Sequence, residues 1–399
     1  MRVLVISFLY PSRKNEVLGI FVHQQAKALR EAGIELKVIS PVPFTPFPFS
    51  KIAKKWGEYA NTPREDVIDG IEVRYPRFVS FPKGLFYERQ GYLMFRGLKA
   101  SLEKAISTEK YDIIHVHRAF PDGYATMLGI KNHRIPMVVT LHGMNMTSTI
   151  YRSSSCKKSI AKVFDKASVV VTNSNKQRSI AVKELGYQRK IVVIPNGVNE
   201  QEIGKQSIGE SASNVGRVVL SVSHLLPQKG IGENLIALSK LLPKYPDLLY
   251  VIIGEGSAGE HFKRFAKQLG VERDVLFLGR RSHKEVLQYM ANCEIFSMPS
   301  WNEAFGVVYL EAMACGKPVI GGKGEGIEDV IEHKKDGLLV APRNVDSLVS
   351  ALDYLLEDQE RAQKIGDAAR KKALSSYTWN MNAERYIEVY RSVLAGQRL

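Results

Sequence analysis

The sequence predicts an α/β protein built from two doubly wound, parallel-sheet domains of Rossmann-like type, and three observations carry that prediction. Continuous β-branched and Leu-rich runs, the mark of strands buried on both faces, recur along the chain with amphipathic stretches between them. They fall into two series. A polar segment rich in Gly and Ser, NEQEIGKQSIGESASNVG, separates the series and reads as a linker. No repeat of 20 to 50 residues is visible, so a solenoid accounts for the chain less well.

In order, the first series is RVLVISFL, LKVIS, DIIHVH, PMVVTLH, SVVVTNS and KIVVIPN, which places a first domain over residues 1–198. The second series, RVVLSVS, LLYVIIG, VLFLG, CEIFSMPS and PVIGG, places a second domain over 215–379, after a linker at 199–214. Residues 41–100 depart from the pattern. They are rich in Pro and aromatic residues with interspersed cations (PVPFTPFPFSKIAKKW), and read as an excursion from the first domain.

A length of 399 residues with 45% hydrophobic composition fits two or three domains with sizeable cores, which excludes a disordered chain. The start MRVLVISFLYP already reads as a core strand, and no apolar run approaches the ~18 residues of a membrane span. Cys156, Cys293 and Cys315 are too few and too scattered for a disulfide framework or a thiolate zinc site. A cytoplasmic protein is expected, attached at most peripherally to the inner face of the cell membrane. The net charge of +15 is uneven: residues 1–198 hold 31 Lys plus Arg against 15 Asp plus Glu, and the remainder is nearly neutral. One half is therefore expected to face an anionic partner.

In open parallel sheets ligands bind beyond the carboxyl ends of the strands, so the residues just after each run carry the functional expectations. The most informative is EAFGVVYLE, after CEIFSMPS. Phe305-Gly306 reads as a turn into a helix, leaving the amides of Val307 and Val308 as unpaired donors at a positive helix end suited to a phosphate. Glu303 would stand at the rim and Glu311 about two turns on, roughly 12 Å along the axis, placed to grip hydroxyls on either side of a diphosphate. A capped, solvated helix start has the same spacing, and the segment alone does not choose. Gly19 after the first strand, His224 and Lys229 in SVSHLLPQKG, and His117 and His142 at strand ends complete the candidates, while His115 reads as structural. The first strand is not followed by GxGxxG, which argues against a dinucleotide fingerprint.

These motifs, taken together and in order, resemble the family-4 retaining glycosyltransferases. SVSHLLPQKGI, VIIGEG, VLFLGRRSHKEVLQYM, SMPSWNEAFGVVYLEAMACGKPVIGG and GIEDVIEHKKDGLLV are similar to that family's second domain. GIFVHQQAKALREAGIELKVIS, HVHRAFPDGYA, VVTLHGMN and VVIPNGVN resemble its first. The resemblance implies a GT-B architecture, two Rossmann-like domains facing across a cleft, with nucleotide mainly on the second and acceptor mainly on the first. It also implies that the last helix, about 380–399, packs back on the first domain. By matching position, Glu303 stands beside the donor sugar, Phe305 and Gly306 offer backbone to its hydroxyls, and Val307 and Val308 approach the distal phosphate. Glu311 clamps the ribose, Lys229 meets the diphosphate, Gly19 forms the first-domain glycine loop, His142 lies near the reacting centre, and Arg280 and Ser282 line the base. His117 and Asp122 fall on the acceptor side. Where the family commonly has Arg this chain has His224, which can be neutral at pH 7 and is not bidentate.

The implied reaction is transfer of a sugar from a nucleoside-diphosphate sugar, UDP-sugar by default, to a hydroxyl of a polysaccharide, glycolipid or lipid-linked precursor. Retention with no cofactor and no essential metal is expected, and no Asp-x-Asp triplet occurs. Double displacement and front-side attack both remain open. Two rivals are a GT-B sugar-nucleotide epimerase and a basic nucleic-acid-binding protein. The paired-glutamate block disfavours the first, and the neutral second half without RRM, KH or zinc-finger pattern disfavours the second. Phe47, Lys51, Lys54, Lys55 and Trp56, with Lys158, Lys162 and Lys166 at every fourth position, interleave apolar anchors and cations as a peripheral contact with an anionic membrane would.

Overall fold

A computed structural model describes residues 1–46, 48–51, 54–187, 191–204 and 217–397. Two compact units emerge: Met1–Pro195 together with Trp379–Leu399, and Asn196–Thr378. The chain enters the second unit before the expected linker, because Val198 donates its N–H to the Tyr377 carbonyl at 2.8 Å and packs with Ile203 in that unit's core. Glu200–Gly204 is helical. Residues 205–214 of the expected linker lie outside the described residues.

The first unit is an eight-stranded sheet with a two-stranded accessory. Its strands are β1 Arg2–Ile6, β2 Glu35–Ile39, β3 Val42–Pro43, β4 Glu65–Ile68, β5 Ile71–Arg74, β6 Arg77–Phe78, β7 Ile113–His117, β8 Met137–Leu141, β9 Val169–Thr172 and β10 Ile191–Val193. The main sheet runs β10-β9-β8-β7-β1-β2-β5-β4, and all its pairings are parallel except β4 with β5. Alternation within β1 shows why the run is apolar throughout. Val3 and Val5 join the core beneath helices Ile20–Glu31 and Trp379–Leu394, while Leu4 and Ile6 join the opposite core with Met94, Leu98 and Leu102. The C-terminal helix is fastened by polar contacts as well: Gln25 donates to Asn382 at 2.8 Å, and Asn382 to the Pro195 carbonyl at 2.7 Å.

The excursion at 41–100 adds β5 and β4 to the sheet edge through a tight hairpin at Asp69-Gly70, where both residues have positive φ. It also supplies the long helix Gln90–Thr108, which covers one sheet face.

The second unit is a six-stranded, wholly parallel sheet of β11 Val218–Val222, β12 Leu249–Ile253, β13 Val275–Gly279, β14 Ile295–Met298, β15 Val319–Gly322 and β16 Leu338–Val340, in the order β13-β12-β11-β14-β15-β16. Val219 and Leu220 again enter opposite cores, one shared with helices Ile231–Leu241 and Val345–Leu356, the other with Val307–Ala314 and Gln359–Ser376. Chain order reverses between β1 and β7 in the first sheet and between β11 and β14 in the second. Such switch points leave a crevice at the strand ends where ligands bind. Among the described residues, no helix is long and apolar enough to cross a membrane.

Candidate functional site

At the second unit's switch point, the loop after β11 and the loop after β14 are laid side by side. Lys229 ends a short 3₁₀ turn, Pro227–Lys229, that packs on the chain after β14 through a hydrogen bond from the Trp301 N–H to the Gln228 carbonyl at 2.9 Å. Gly230 follows with φ 77, and a side chain there would run into the Pro299 backbone at 2.7 Å. This close approach brings the Lys229 ammonium onto the Glu303 carboxylate as an ion pair, both largely shielded from solvent. The other Glu303 oxygen accepts the Ala304 N–H at 3.1 Å, which fixes the carboxylate plane.

Gly306, at φ 82, turns the chain into the helix Val307–Ala314, with no side-chain cap on the helix start. The Tyr309 N–H donates to the Gly306 carbonyl at 3.1 Å, and among the described residues the Val307 and Val308 amides are left for another acceptor. A Cβ at Gly306 would lie 2.6 Å from the Tyr309 ring, and Tyr309 is fully buried with its hydroxyl on the Met298 carbonyl. Phe305 is buried in the core beneath, so only its backbone faces outward chemistry. The helix dipole is positive at this end of the sheet, and the Lys229–Glu303 pair stands beside it.

Sequence reasoning missed a residue that shapes this loop. Glu325, buried after β15, accepts the Glu303 N–H, and the Gly326 N–H donates to the Glu303 carbonyl at 3.4 Å. Its position just beyond a strand end was the available signal.

His224, Arg280 and Ser282 are more exposed. Among the described residues, His224 Nδ1 donates to the Glu255 carbonyl at 3.4 Å. Its loop is pressed against Gly254 and Gly256, whose missing side chains admit the Ser223 and Leu225 backbones. Arg280 is exposed beyond β13. Ser282 caps the helix His283–Asn292, accepting the Glu285 N–H at 3.3 Å while its own N–H and hydroxyl donate to the Glu285 carboxylate at 2.8 and 2.6 Å. Its hydroxyl therefore has a structural duty first. Glu311 receives the Nε2 of His283 at 2.9 Å, another partner the sequence reading did not single out.

The first unit builds a different environment at its own switch point. Gly19, at φ 68, starts the helix Ile20–Glu31, and a Cβ there would collide with the Leu9 carbonyl, so a backbone segment occupies the space. His117 ends β7 and His142 follows β8; Nδ1 of the one lies 2.8 Å from Nε2 of the other, with the rings nearly parallel. One nitrogen donates and the other accepts. Phe21 packs on His142 at 4.6 Å between ring centres. Burial, with Arg118 nearby, pushes His142 down to about 3, and burial pushes His117 well below the usual imidazole range. The Nδ1 of His142 is buried with no hydrogen-bond partner among the described residues. His115 lies within the protein between the Tyr390 hydroxyl at 2.7 Å and Thr140 at 2.8 Å. Asp122 is fully buried, pairs with Arg118 at 2.8 Å and accepts the Phe8 N–H at 2.5 Å, so it shapes the strand ends from below.

Of the expected membrane-facing residues, Phe47 lies outside the described residues. Lys54 and Trp56 are on the helix Lys54–Asn61. Lys51 and Lys55 are exposed, the latter with its ammonium 5.7 Å from the Tyr59 ring. Lys158, Lys162 and Lys166 are exposed along the helix Ser154–Lys166, whose Cys156, Ile160, Val163 and Phe164 are buried.

A family model described as Glycosyltransferase Family 4 matches residues 18–202, and one described as Glycosyl transferases group 1 matches residues 205–372. The chain belongs to the family-4 glycosyltransferases. It is 25% identical over 401 residues to the putative teichuronic acid biosynthesis glycosyltransferase TuaC of Bacillus subtilis, covering 98% of this chain and 99% of that protein. Among solved structures, sucrose-phosphate synthase from Thermosynechococcus elongatus superposes with TM-score 0.81 at 18% identity over all of both chains. Alr3699/HepE of Anabaena, in complex with UDP and glucose, superposes with TM-score 0.73 at 22% identity over 98% of this chain and all of that one. The fold is GT-B, and the activity is glycosyl transfer.

Proposed function

We propose that this glycosyltransferase moves a sugar from a UDP-sugar to a hydroxyl of a cell-surface polysaccharide, glycolipid or lipid-linked precursor, with retention and without an essential metal. The observation that carries the proposal is the Lys229–Glu303 pair beside the uncapped helix start at Gly306. An ammonium and free amides there would receive the diphosphate, with Glu303 on the sugar side and Glu311 on the ribose side. The UDP held by Alr3699/HepE supports uridine as the base.

As the bond from the anomeric carbon to phosphate breaks, charge grows on the leaving oxygen, and donors already in place stabilise it without reorganising. Lys229 and the Val307 and Val308 amides fill that role, with His224 at the edge. In front-side attack the acceptor oxygen bonds to the anomeric carbon on the departing face, and its proton passes to the leaving phosphate. His117 and His142 serve as neutral hydrogen-bonding groups, since burial denies them a proton to give at pH 7. Glu303→Gln is expected to lower turnover with little change in UDP affinity, whereas Glu311→Gln weakens that affinity. Near-normal activity and binding in both variants would sink the assignment.

We also propose peripheral contact with an anionic membrane, supported by the first half's charge, the exposed lysine row Lys158, Lys162 and Lys166, and exposed Phe81, Leu85, Phe86 and Tyr151. Each cation near such a surface contributes about 1 kcal/mol, so a few suffice for salt-sensitive binding. Sedimentation with anionic but not neutral vesicles, reduced in a Lys158/Lys162/Lys166→Glu variant, is expected; equal binding to both lipids would remove the membrane role.

A further inference from the structure

His283 opens the helix His283–Asn292 with both ring nitrogens spoken for. Nδ1 lies 3.0 Å from Glu202 Oε2 and Nε2 lies 2.9 Å from Glu311 Oε1. A carboxylate only accepts, so a neutral imidazole would set a bare lone pair against one of these oxygens. The geometry therefore calls for the imidazolium, and the two carboxylates hold the ring's proton affinity up to about 10, Glu202 first and Glu311 second. The other charged groups on this stretch are Arg280, Arg281, Lys284 and Glu285. Glu285 is engaged by Ser282, with Arg281 4.0 Å away, so neither competes for the ring. Glu202 is itself held from behind, receiving the Asn199 side-chain amide on Oε1 at 2.9 Å.

One cation between two carboxylates leaves a net negative charge. Glu311 has Oε1 fixed by His283, while Oε2 has no hydrogen-bond partner among the described residues. We infer that His283 is a positioning residue for nucleotide binding: bridged to Glu202, it aims the second oxygen of Glu311 at a ribose hydroxyl. The inference rests on the reading of Glu311 as the ribose clamp. Glu202 acts one step further out, keeping the bridge protonated across the neutral range.

Calorimetric titration of UDP and GDP, each with its 2′,3′-dideoxy counterpart, separates this role from general support of the fold. For the better-binding ribonucleotide, His283→Ala is expected to raise Kd about tenfold, the scale of one charge-assisted hydrogen bond. The dideoxy compound, which lacks the hydroxyls, is expected to stay within about twofold. His283→Arg should restore most of the loss, because its guanidinium can donate to both carboxylates at once. Glu202→Gln should leave affinity near normal at pH 6 and make it fall between about pH 7 and 9 as the ring loses its proton, again for the ribonucleotide alone.

Equal losses for ribo- and dideoxynucleotides in His283→Ala, or no loss at all, would overturn the inference. Glu311→Gln tells the two failures apart. If that variant binds both nucleotides as the wild type does, the ribose clamp itself is misassigned; if it loses only the ribonucleotide while His283→Ala does not, the clamp stands and His283 has no part in it. Absence of binding by either nucleotide to the wild-type protein would overturn both.

Discussion

The histidines of the two units show what a site's surroundings do to one side chain. In the first unit His115, His117 and His142 sit among Tyr386, Tyr390 and Phe21, hydrogen-bonded to hydroxyls and to each other, and burial drives His115 and His142 down to about 3. In the second unit His283 lies between two carboxylates and is driven up to about 10. The same contrast runs through the rest of each site. The first unit offers neutral rings, a glycine backbone and a buried ion pair beneath them; the second offers an ammonium, open helix amides and largely shielded carboxylates. A growing negative charge belongs with the second. An acceptor that must stay uncharged until it attacks belongs with groups that hydrogen-bond without exchanging protons.

The contrast breaks first, and by the largest margin, at Lys229. Lys229→Ala is expected to lower turnover on the order of 10²-fold, as loss of one preorganised charge-stabilising donor does. His117→Gln keeps a hydrogen-bonding group beside His142 and removes no charge, so its loss should stay within about tenfold, the value of a neutral hydrogen bond. Steady-state kinetics on the two variants decides it. A larger loss at His117 than at Lys229 would mean that the neutral site carries the charge-dependent step.

Acid sharpens the comparison next. His115, His117 and His142 stay neutral in the folded state while the unfolded chain takes up protons near the ordinary value of about 6.5. Their contribution to stability is thus fully present above pH 6.5 and is lost as pH falls below it, toward about 3 for His115 and His142. At pH 5 each histidine that remains neutral costs about 2 kcal/mol. His283 runs the other way: its contribution is present below pH 6.5 and is lost as pH rises toward about 10. NMR titration of the imidazole C–H resonances should find three rings that do not titrate between pH 5 and 8 and one that remains protonated at pH 8. A ring at His115 or His142 titrating near 6.5 would refute the neutral environment.

How far the sequence carried this picture depended on the range of the signal. RVLVISFL, LLYVIIG and the other long apolar runs became strands because burial on both faces demands such composition. The β4–β5 hairpin was overlooked although Asp69-Gly70 is a tight-turn pair, because its strands are four residues each and lie within a Pro- and aromatic-rich stretch. β16 has only three residues. In the candidate site, Lys229, Glu303 and Gly306, which the strand-end rule and the family resemblance singled out, lie together, and their glycine and lysine chemistry is local. Glu325 and His283 escaped because their meaning comes from partners far along the chain: Glu325 from Glu303, and His283 from Glu202 and Glu311. Asp122 was read as facing an acceptor, yet its role is visible only once Phe8 and Arg118 are brought around it.

The smallest effect is expected at His224, the position where the family commonly carries Arg. Its side chain is exposed, and among the described residues its Nδ1 approaches the Glu255 carbonyl at 3.4 Å. The backbone beneath is held independently, with the Leu225 N–H on the Glu255 carbonyl at 3.0 Å and the Ala258 N–H on the Leu225 carbonyl at 3.1 Å. His224→Arg should therefore fold normally. An arginine keeps its charge at every working pH and can present two parallel donors to a phosphate, whereas an imidazole presents one donor at a time and loses its charge on deprotonation. The expected outcome is kcat/KM about twofold above wild type and a steeper fall as salt is added. That pattern would add His224 to the charged side of the comparison. A kcat/KM and salt dependence unchanged from wild type would place His224 outside the diphosphate's reach, leaving Lys229 and the helix amides to carry the leaving group's charge.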